Sequence, residues 1–89
     1  MPREFVLRQN FPNPFNPTTR IRYELPATER VELVVYDLLG RNVMTLVDGI
    51  QDAGYYDIRF TAQNLSSGIY FYRISAGAFH DVLKMVIIK

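Results

Sequence analysis

The amino-acid sequence predicts an all-β domain, either a two-layer sandwich or a closed barrel of antiparallel strands. Three observations predict it. Apolar residues recur at every second position over most of the chain, and turn-forming residues separate these segments at intervals of about 8–12 residues. No segment combines a helical period with helix caps. The 89 residues are enough for one core and too few for two.

The first two long strands are predicted at residues 18–25 and 30–36. In the first, isoleucine, tyrosine and leucine alternate with charged side chains, which is typical of a strand with one buried face. Pro26 ends it, because proline has no amide hydrogen to donate to a sheet. The second carries apolar residues on both faces, and we expect it to be covered on both sides.

A reverse turn at residues 37–40 leads into the third strand. Gly40 can adopt the positive φ that such turns require. Residues 41–47 are apolar and β-branched enough to form the strand, and a polar connection follows, bracketed by the pairs at 48–49 and 53–54. Residues 55–61 alternate again and predict the fourth long strand.

The last two long strands are predicted at residues 69–75 and 79–89, with turns at 64–68 and 76–78, and a short strand fits residues 5–8.

One local feature favours an immunoglobulin-like sandwich over a barrel. The spacing from Ser66 through Gly68 and Tyr70 to Tyr72 is that of a tyrosine corner, in which a tyrosine hydroxyl bonds back over the preceding turn. The alternative is that both tyrosines are ordinary core residues of a strand. Both interpretations give the same architecture.

Composition and motifs argue against catalysis, cofactors and nucleic acid. The chain has no cysteine and one histidine, His80, so thiolate metal sites are excluded and general bases are scarce. Phosphate-binding glycine loops and the nucleophile-elbow motif are absent. A net charge of +1 provides no basic field for nucleic acid. We therefore expect no enzyme, no cofactor and no metal, with Asp48 and Asp52 as solvated turn residues.

Aromatic residues make up 13% of the chain, and exposed rings can stack on sugars. Tyr55 and Phe71 lie opposite the expected core face of their strands, which leaves a small carbohydrate-binding module as an alternative. The other interpretation is that both rings cover the second face of a strand or meet a neighbouring domain.

Residues 9–17 form a proline- and asparagine-rich segment, here called the collar. Proline at every second or third position denies it sheet hydrogen bonds and holds it extended, while the asparagines bond to nearby backbone. We expect Phe11 and Phe15 to plug the open end of the sandwich.

Six segments, taken in order, carry a family resemblance. They are QNFPNPFNPTT at 9–19, IRYELP at 21–26, VYDLLGR at 35–41, LVDG at 46–49, LSSGIYFYR at 65–73 and KMVIIK at 84–89. Together they resemble the C-terminal sorting domain of type IX secretion substrates, type A. An immunoglobulin-like domain of flagellar hook-capping proteins is a similar family.

The resemblance implies an immunoglobulin-like antiparallel β-sandwich of about seven strands with Greek-key connections. It implies one domain over residues 1–89, with a leading strand and collar at 1–17 and the sandwich at 18–89. The domain would end a larger secreted precursor of Bacteroidetes-like bacteria, behind a cargo domain. Export would pass through the periplasm and the type IX translocon to the cell surface, where a sortase removes the domain and attaches the cargo to lipopolysaccharide. The oligomeric state is left open.

By the same resemblance, recognition by the translocon rests on the final strands. The corresponding positions are Gly68, Tyr70, Lys84, Met85, Val86, Ile87, Ile88 and Lys89. A last strand with an apolar run between two lysines offers an edge for strand addition by a receptor. The structural alternative places Met85 and Ile87 in the core and covers Val86 and Ile88 with the collar. A passive spacer or assembly module is the alternative to the sorting role as a whole.

Overall fold

The computed structural model describes residues 1–89 and consists of seven strands, with no helix. The strands are β1 (Val6–Leu7), β2 (Thr18–Leu25), β3 (Glu29–Tyr36), β4 (Asn42–Gln51), β5 (Gly54–Thr61), β6 (Gly68–Ala76) and β7 (Phe79–Ile87). β2 has the predicted bounds, and β3, β5 and β6 differ from theirs by at most one residue at either end. No helix long and apolar enough to cross a membrane is present.

The strands form two antiparallel sheets. The smaller sheet has the order β1-β2-β5, and the larger has the order β4-β3-β6-β7. The connections from β2 to β3, from β4 to β5 and from β5 to β6 pass between the sheets, as in Greek-key sandwiches. This arrangement confirms the expected immunoglobulin-like sandwich and excludes a closed barrel. In constant-type immunoglobulin domains the fourth strand pairs with the fifth, whereas β4 pairs with β3 and lies in the sheet that also holds β6 and β7.

A single apolar core lies between the sheets. Its 16 buried residues come from the collar, from the segment after β5 and from every strand except β4. In β2 and β6, buried and exposed residues alternate along most of the strand, as the two-residue period predicts. Tyr23 of β2 stacks on Tyr56 of β5, with ring centroids 5.1 Å apart. The start of β6 and the end of β7 also contribute to this core, through Tyr70, Met85 and Ile87. The core therefore holds these two strand ends in place, and the candidate site lies there.

β3 lies between β4 and β6, and Val34 is buried on its outer face, which confirms the predicted cover on both sides at that residue. β4 is longer than predicted and reaches Gln51. Asp48 and Gly49, predicted to open a turn, pair with β3 instead, and the Asp48 carboxylate accepts a hydrogen bond from Arg30. Here pairing with β3 decides the conformation, and the turn tendency of an Asp-Gly pair does not.

Candidate functional site

The eight residues predicted for translocon recognition, here called the address residues, meet at one corner of the larger sheet. The start of β6 pairs with the end of β7, so that Gly68 lies opposite Ile87 and Tyr70 opposite Met85. Beyond the strand, the backbone amide of Lys89 donates a hydrogen bond of 3.0 Å to the Ser67 hydroxyl. The two parts of the address are therefore neighbours in space.

The tyrosine corner predicted from the sequence is present. The Tyr70 hydroxyl donates a hydrogen bond of 2.9 Å to the carbonyl oxygen of Ser66, which precedes β6. Gly68, the first residue of β6, has a φ of +148°, a backbone region that favours glycine. Two address residues thus fix how the chain enters β6.

The address residues divide into a buried and an accessible group. The buried group consists of Tyr70, Met85 and Ile87, which confirms the predicted core positions of the last two. The accessible group consists of Gly68, Lys84, Val86, Ile88 and Lys89, which are half-buried or exposed. Ile88 is 51% exposed, so the prediction that the collar covers its side chain is wrong. A partner can touch the accessible group while the strand stays folded.

One of the two phenylalanines of the collar plugs the sandwich. Phe15 is buried, and its ring meets that of Phe60 edge-on at a centroid distance of 6.0 Å. Phe11 is 75% exposed, so its predicted role as a second plug is wrong. It exchanges two backbone hydrogen bonds of 3.0 Å with Arg20. Directly paired residues share a face of the sheet, and Arg20 lies on the outer face.

The collar also occupies the outer edge of β7, where alternate residues direct their backbone groups away from β6. The Phe15 amide donates to the Val86 carbonyl at 3.1 Å, and the Phe15 carbonyl accepts from the Ile88 amide at 2.9 Å. The Asn13 side chain accepts a bond of 2.9 Å from the Val86 amide. The prediction of a free edge for strand addition at 84–88 is therefore wrong for the folded chain. Prolines remove their own amides, but the residues between them still pair.

A buried tyrosine anchors the collar to β6. The Tyr72 hydroxyl accepts a bond of 2.7 Å from the Asn10 amide and donates one of 2.7 Å to the Arg8 carbonyl. Burial raises the pKa of Tyr72 to about 12. The Gln9 side chain adds a bond of 2.7 Å to the Lys84 carbonyl on β7. Sequence reasoning missed this role of Tyr72, because its partners lie 62 and 64 positions away.

The other candidate residues do not form a site together. Tyr55 lies on the outer face of the smaller sheet and Phe71 on that of the larger, so the two rings cannot line one sugar-binding platform. His80 lies on the surface of β7, with Nδ1 3.0 Å from the Ser75 hydroxyl. No three acidic or imidazole side chains lie close enough together to hold a metal ion.

The fold and the corner define a class of protein: a small immunoglobulin-like sandwich whose candidate site is a pair of strand ends. A family model for secretion system C-terminal sorting domains matches residues 9–89. The chain belongs to this family, as the sequence resemblance predicted. No match to the chain was found among curated proteins or among solved structures.

Membership of this family indicates a C-terminal sorting signal for type IX secretion, in a family that is typically non-catalytic. It implies interaction with the type IX secretion machinery and a preceding cargo domain. It also implies secretion through the outer membrane to the cell surface or the extracellular space. The match runs from the collar through β7, the two segments that meet at the corner.

Proposed function

We propose that the type IX translocon reads the accessible address residues at the corner of β6 and β7, so that the domain directs its cargo across the outer membrane. A cell-surface sortase then removes the domain and joins the cargo to surface lipopolysaccharide. The cargo precedes the domain in one precursor, and residues 1–89 act as one unit, with the leading strand and collar at 1–17 and the sandwich at 18–89. The observation that carries the proposal is the pairing of Gly68 with Ile87 and of Tyr70 with Met85.

In this proposal the buried address residues act by positioning the accessible ones. Met85 and Ile87 anchor β7 in the core, and because side chains alternate along a strand, Lys84 and Val86 face outward. Lys84 and Lys89 are the only two lysines in the chain. A lysine ammonium is a compact charge that suits a carboxylate without demanding planar geometry. The corner therefore offers apolar side chains between two cationic ones to an apolar, acidic receptor surface.

The test is a fusion of the 89 residues behind a signal peptide and an inert fluorescent cargo. The fusion is expressed in a bacterium with a working type IX system and in a matched strain without the translocon. Deletion of residues 85–89 is unsuitable, because it removes Met85 and Ile87 from the core and disrupts the fold. Ile88→Ser changes accessible surface directly after β7, and Val82→Ser within β7 is its matched control, since the two side chains are 51% and 49% exposed.

We expect cargo at the cell surface only when the translocon is present. Ile88→Ser should reduce export about fivefold, the effect of losing ~1 kcal/mol of contact, and Val82→Ser should not. Cargo held in the periplasm of both strains behind a folded domain would contradict the sorting role and favour a passive structural or assembly module. Equal export of Ile88→Ser and the unaltered fusion would move recognition away from the corner. Melting temperatures of the variant domains show that the fold is intact.

A further inference from the structure

We infer that a second recognition element lies beside the address: Leu38 and Leu39, here called the leucine knob, dock into an apolar pocket on a protein of the export machinery. The inference rests on the proposed function, because that machinery is the partner. The knob lies in the turn between β3 and β4, and its two side chains are 65% and 77% exposed. A single exposed leucine is ordinary, but adjacent exposed leucines form a patch, and such patches mark interaction sites.

The turn that carries the knob is held by five hydrogen bonds. The Asp37 carboxylate accepts from the backbone amides of Leu39 and Arg41, at 2.9 and 3.0 Å, and from Arg41 Nε at 2.8 Å. Two backbone bonds of 3.0 Å, from Asp37 to the Arg41 carbonyl and from Gly40 to the Asp37 carbonyl, close the turn. Gly40 has a φ of +81°. An apolar surface that is rigid before docking loses less entropy when it binds.

The knob adjoins the corner of the larger sheet where the address residues meet. A cleft of about 200 Å³ lies between the turn and the start of β6, with the knob on one side and Ser67, Gly68 and Tyr70 on the other. The Ser67 hydroxyl also accepts the hydrogen bond from Lys89. A partner that covers the accessible address residues would therefore lie over this cleft and reach the knob.

The charges at the cleft specify the partner. The Arg41 side chain bonds to Asp37 through Nε alone, and its guanidinium is largely exposed, so both terminal nitrogens face solvent beside the knob. A guanidinium presented in this way binds a carboxylate. Asp37 is the only acidic residue that lines the cleft, and it is already bound, so a symmetric contact of two copies of this chain through their clefts brings no free acid to Arg41. The complement is an apolar pocket with a carboxylate at its rim, on a different protein.

Leu39→Ser in the same secretion fusion tests the inference. Ile50→Ser is the matched control, because Ile50 is 74% exposed against 77% for Leu39 and lies at the end of β4 remote from the turn. We expect Leu39→Ser to lower export about tenfold, as for the loss of an anchoring side chain. Ile50→Ser should export like the unaltered fusion, and so should Leu39→Met, which keeps the apolar surface.

Normal export of Leu39→Ser, with Ile88→Ser still defective, overturns the leucine knob and leaves the proposed function intact. Equal losses for Leu39→Ser and Ile50→Ser also overturn it. If the unaltered fusion is not exported, the proposed function is contradicted, and the inference about the leucine knob is contradicted as well. A dimer in sedimentation equilibrium that Leu39→Ser dissociates would assign the knob to a second copy and overturn the export partner. If Leu39→Ser does not fold, Leu38→Ser replaces it with the same expectations.

Discussion

Replacement of Tyr72 by phenylalanine should loosen the collar while the core packing stays unchanged. The ring remains, so the change removes only the hydroxyl that joins Asn10 to Arg8. The buried Asn10 amide then loses its acceptor. A hydrogen bond contributes about 0.5–1.5 kcal/mol, and a buried unpaired donor costs about 1–3 kcal/mol, so the free energy of unfolding should fall by about 2–4 kcal/mol.

Urea denaturation measures this loss, and the melting temperature should fall by about 8 °C or more. Tyr55→Phe is the control, because its hydroxyl is exposed and has no hydrogen bond, and it should change the free energy by less than about 0.5 kcal/mol. Hydrogen exchange should accelerate at the amides of Val86 and Ile88, which bond to the collar. If Tyr72→Phe and Tyr55→Phe unfold at the same urea concentration, the hydroxyl does not anchor the collar.

The same variant should also change the alkaline limb of the stability curve. Burial raises the pKa of Tyr72 from 10.0 to about 12. Because the pKa in the folded state is the higher one, the stabilisation is complete below pH 10.0 and is lost as the pH rises towards about 12. The difference in melting temperature between the unaltered domain and Tyr72→Phe should narrow over this window. A constant difference would contradict the titration of this hydroxyl.

Three further predictions use the collar, β6 and the turn after β3. Phe15→Ala should lower the free energy of unfolding by about 3–5 kcal/mol, because it empties a core position, whereas Phe11→Ala should change it by less than about 0.5 kcal/mol. Equal effects in urea denaturation would show that Phe15 is not the plug. Gly68→Ala should cost about 1–3 kcal/mol through backbone strain alone. Apart from the glycine itself and its adjacent residues, no atom lies within 4 Å of the methyl group added there or in the control Gly49→Ala. Gly49 has no positive φ, so equal melting temperatures for the two variants would refute the strain at Gly68. The Arg41 backbone amide donates a hydrogen bond to the Asp37 carboxylate and lowers the pKa of that carboxyl. Asp37→Asn should therefore melt below the unaltered domain at neutral pH, and the difference should shrink as the pH falls through the lowered pKa; a difference independent of pH would exclude this role.

The strands and their faces could be predicted because their signals are local. A two-residue period shows which side chains share a face, and β2 has both the predicted bounds and the predicted buried face. The tyrosine corner is also local, because Tyr70 bonds to a carbonyl four positions earlier. The address residues were identified by family resemblance, but the sequence did not show that Gly68 and Ile87 are paired neighbours.

Phe11 and Phe15 show where local signals fail. Both are phenylalanines directly next to a proline, and the sequence does not distinguish them. Their pairing partners differ: Phe11 bridges Arg20 on an outer face, whereas Phe15 bridges Ile87 beside the core. The turn predicted from the Asp-Gly pair at 48–49 is wrong for the same reason, because pairing with β3 and not local turn propensity decides the conformation there.

By itself, the sequence determined an all-β domain, the buried face of β2 and the family to which the chain belongs. The tertiary structure decided which segments meet: the collar covers the edge of β7, through bonds such as that between Asn13 and Val86, 73 positions apart. The alternation of side chains is a property of the backbone within one strand. The cover of a strand edge instead depends on donors and acceptors that only the folded chain brings together.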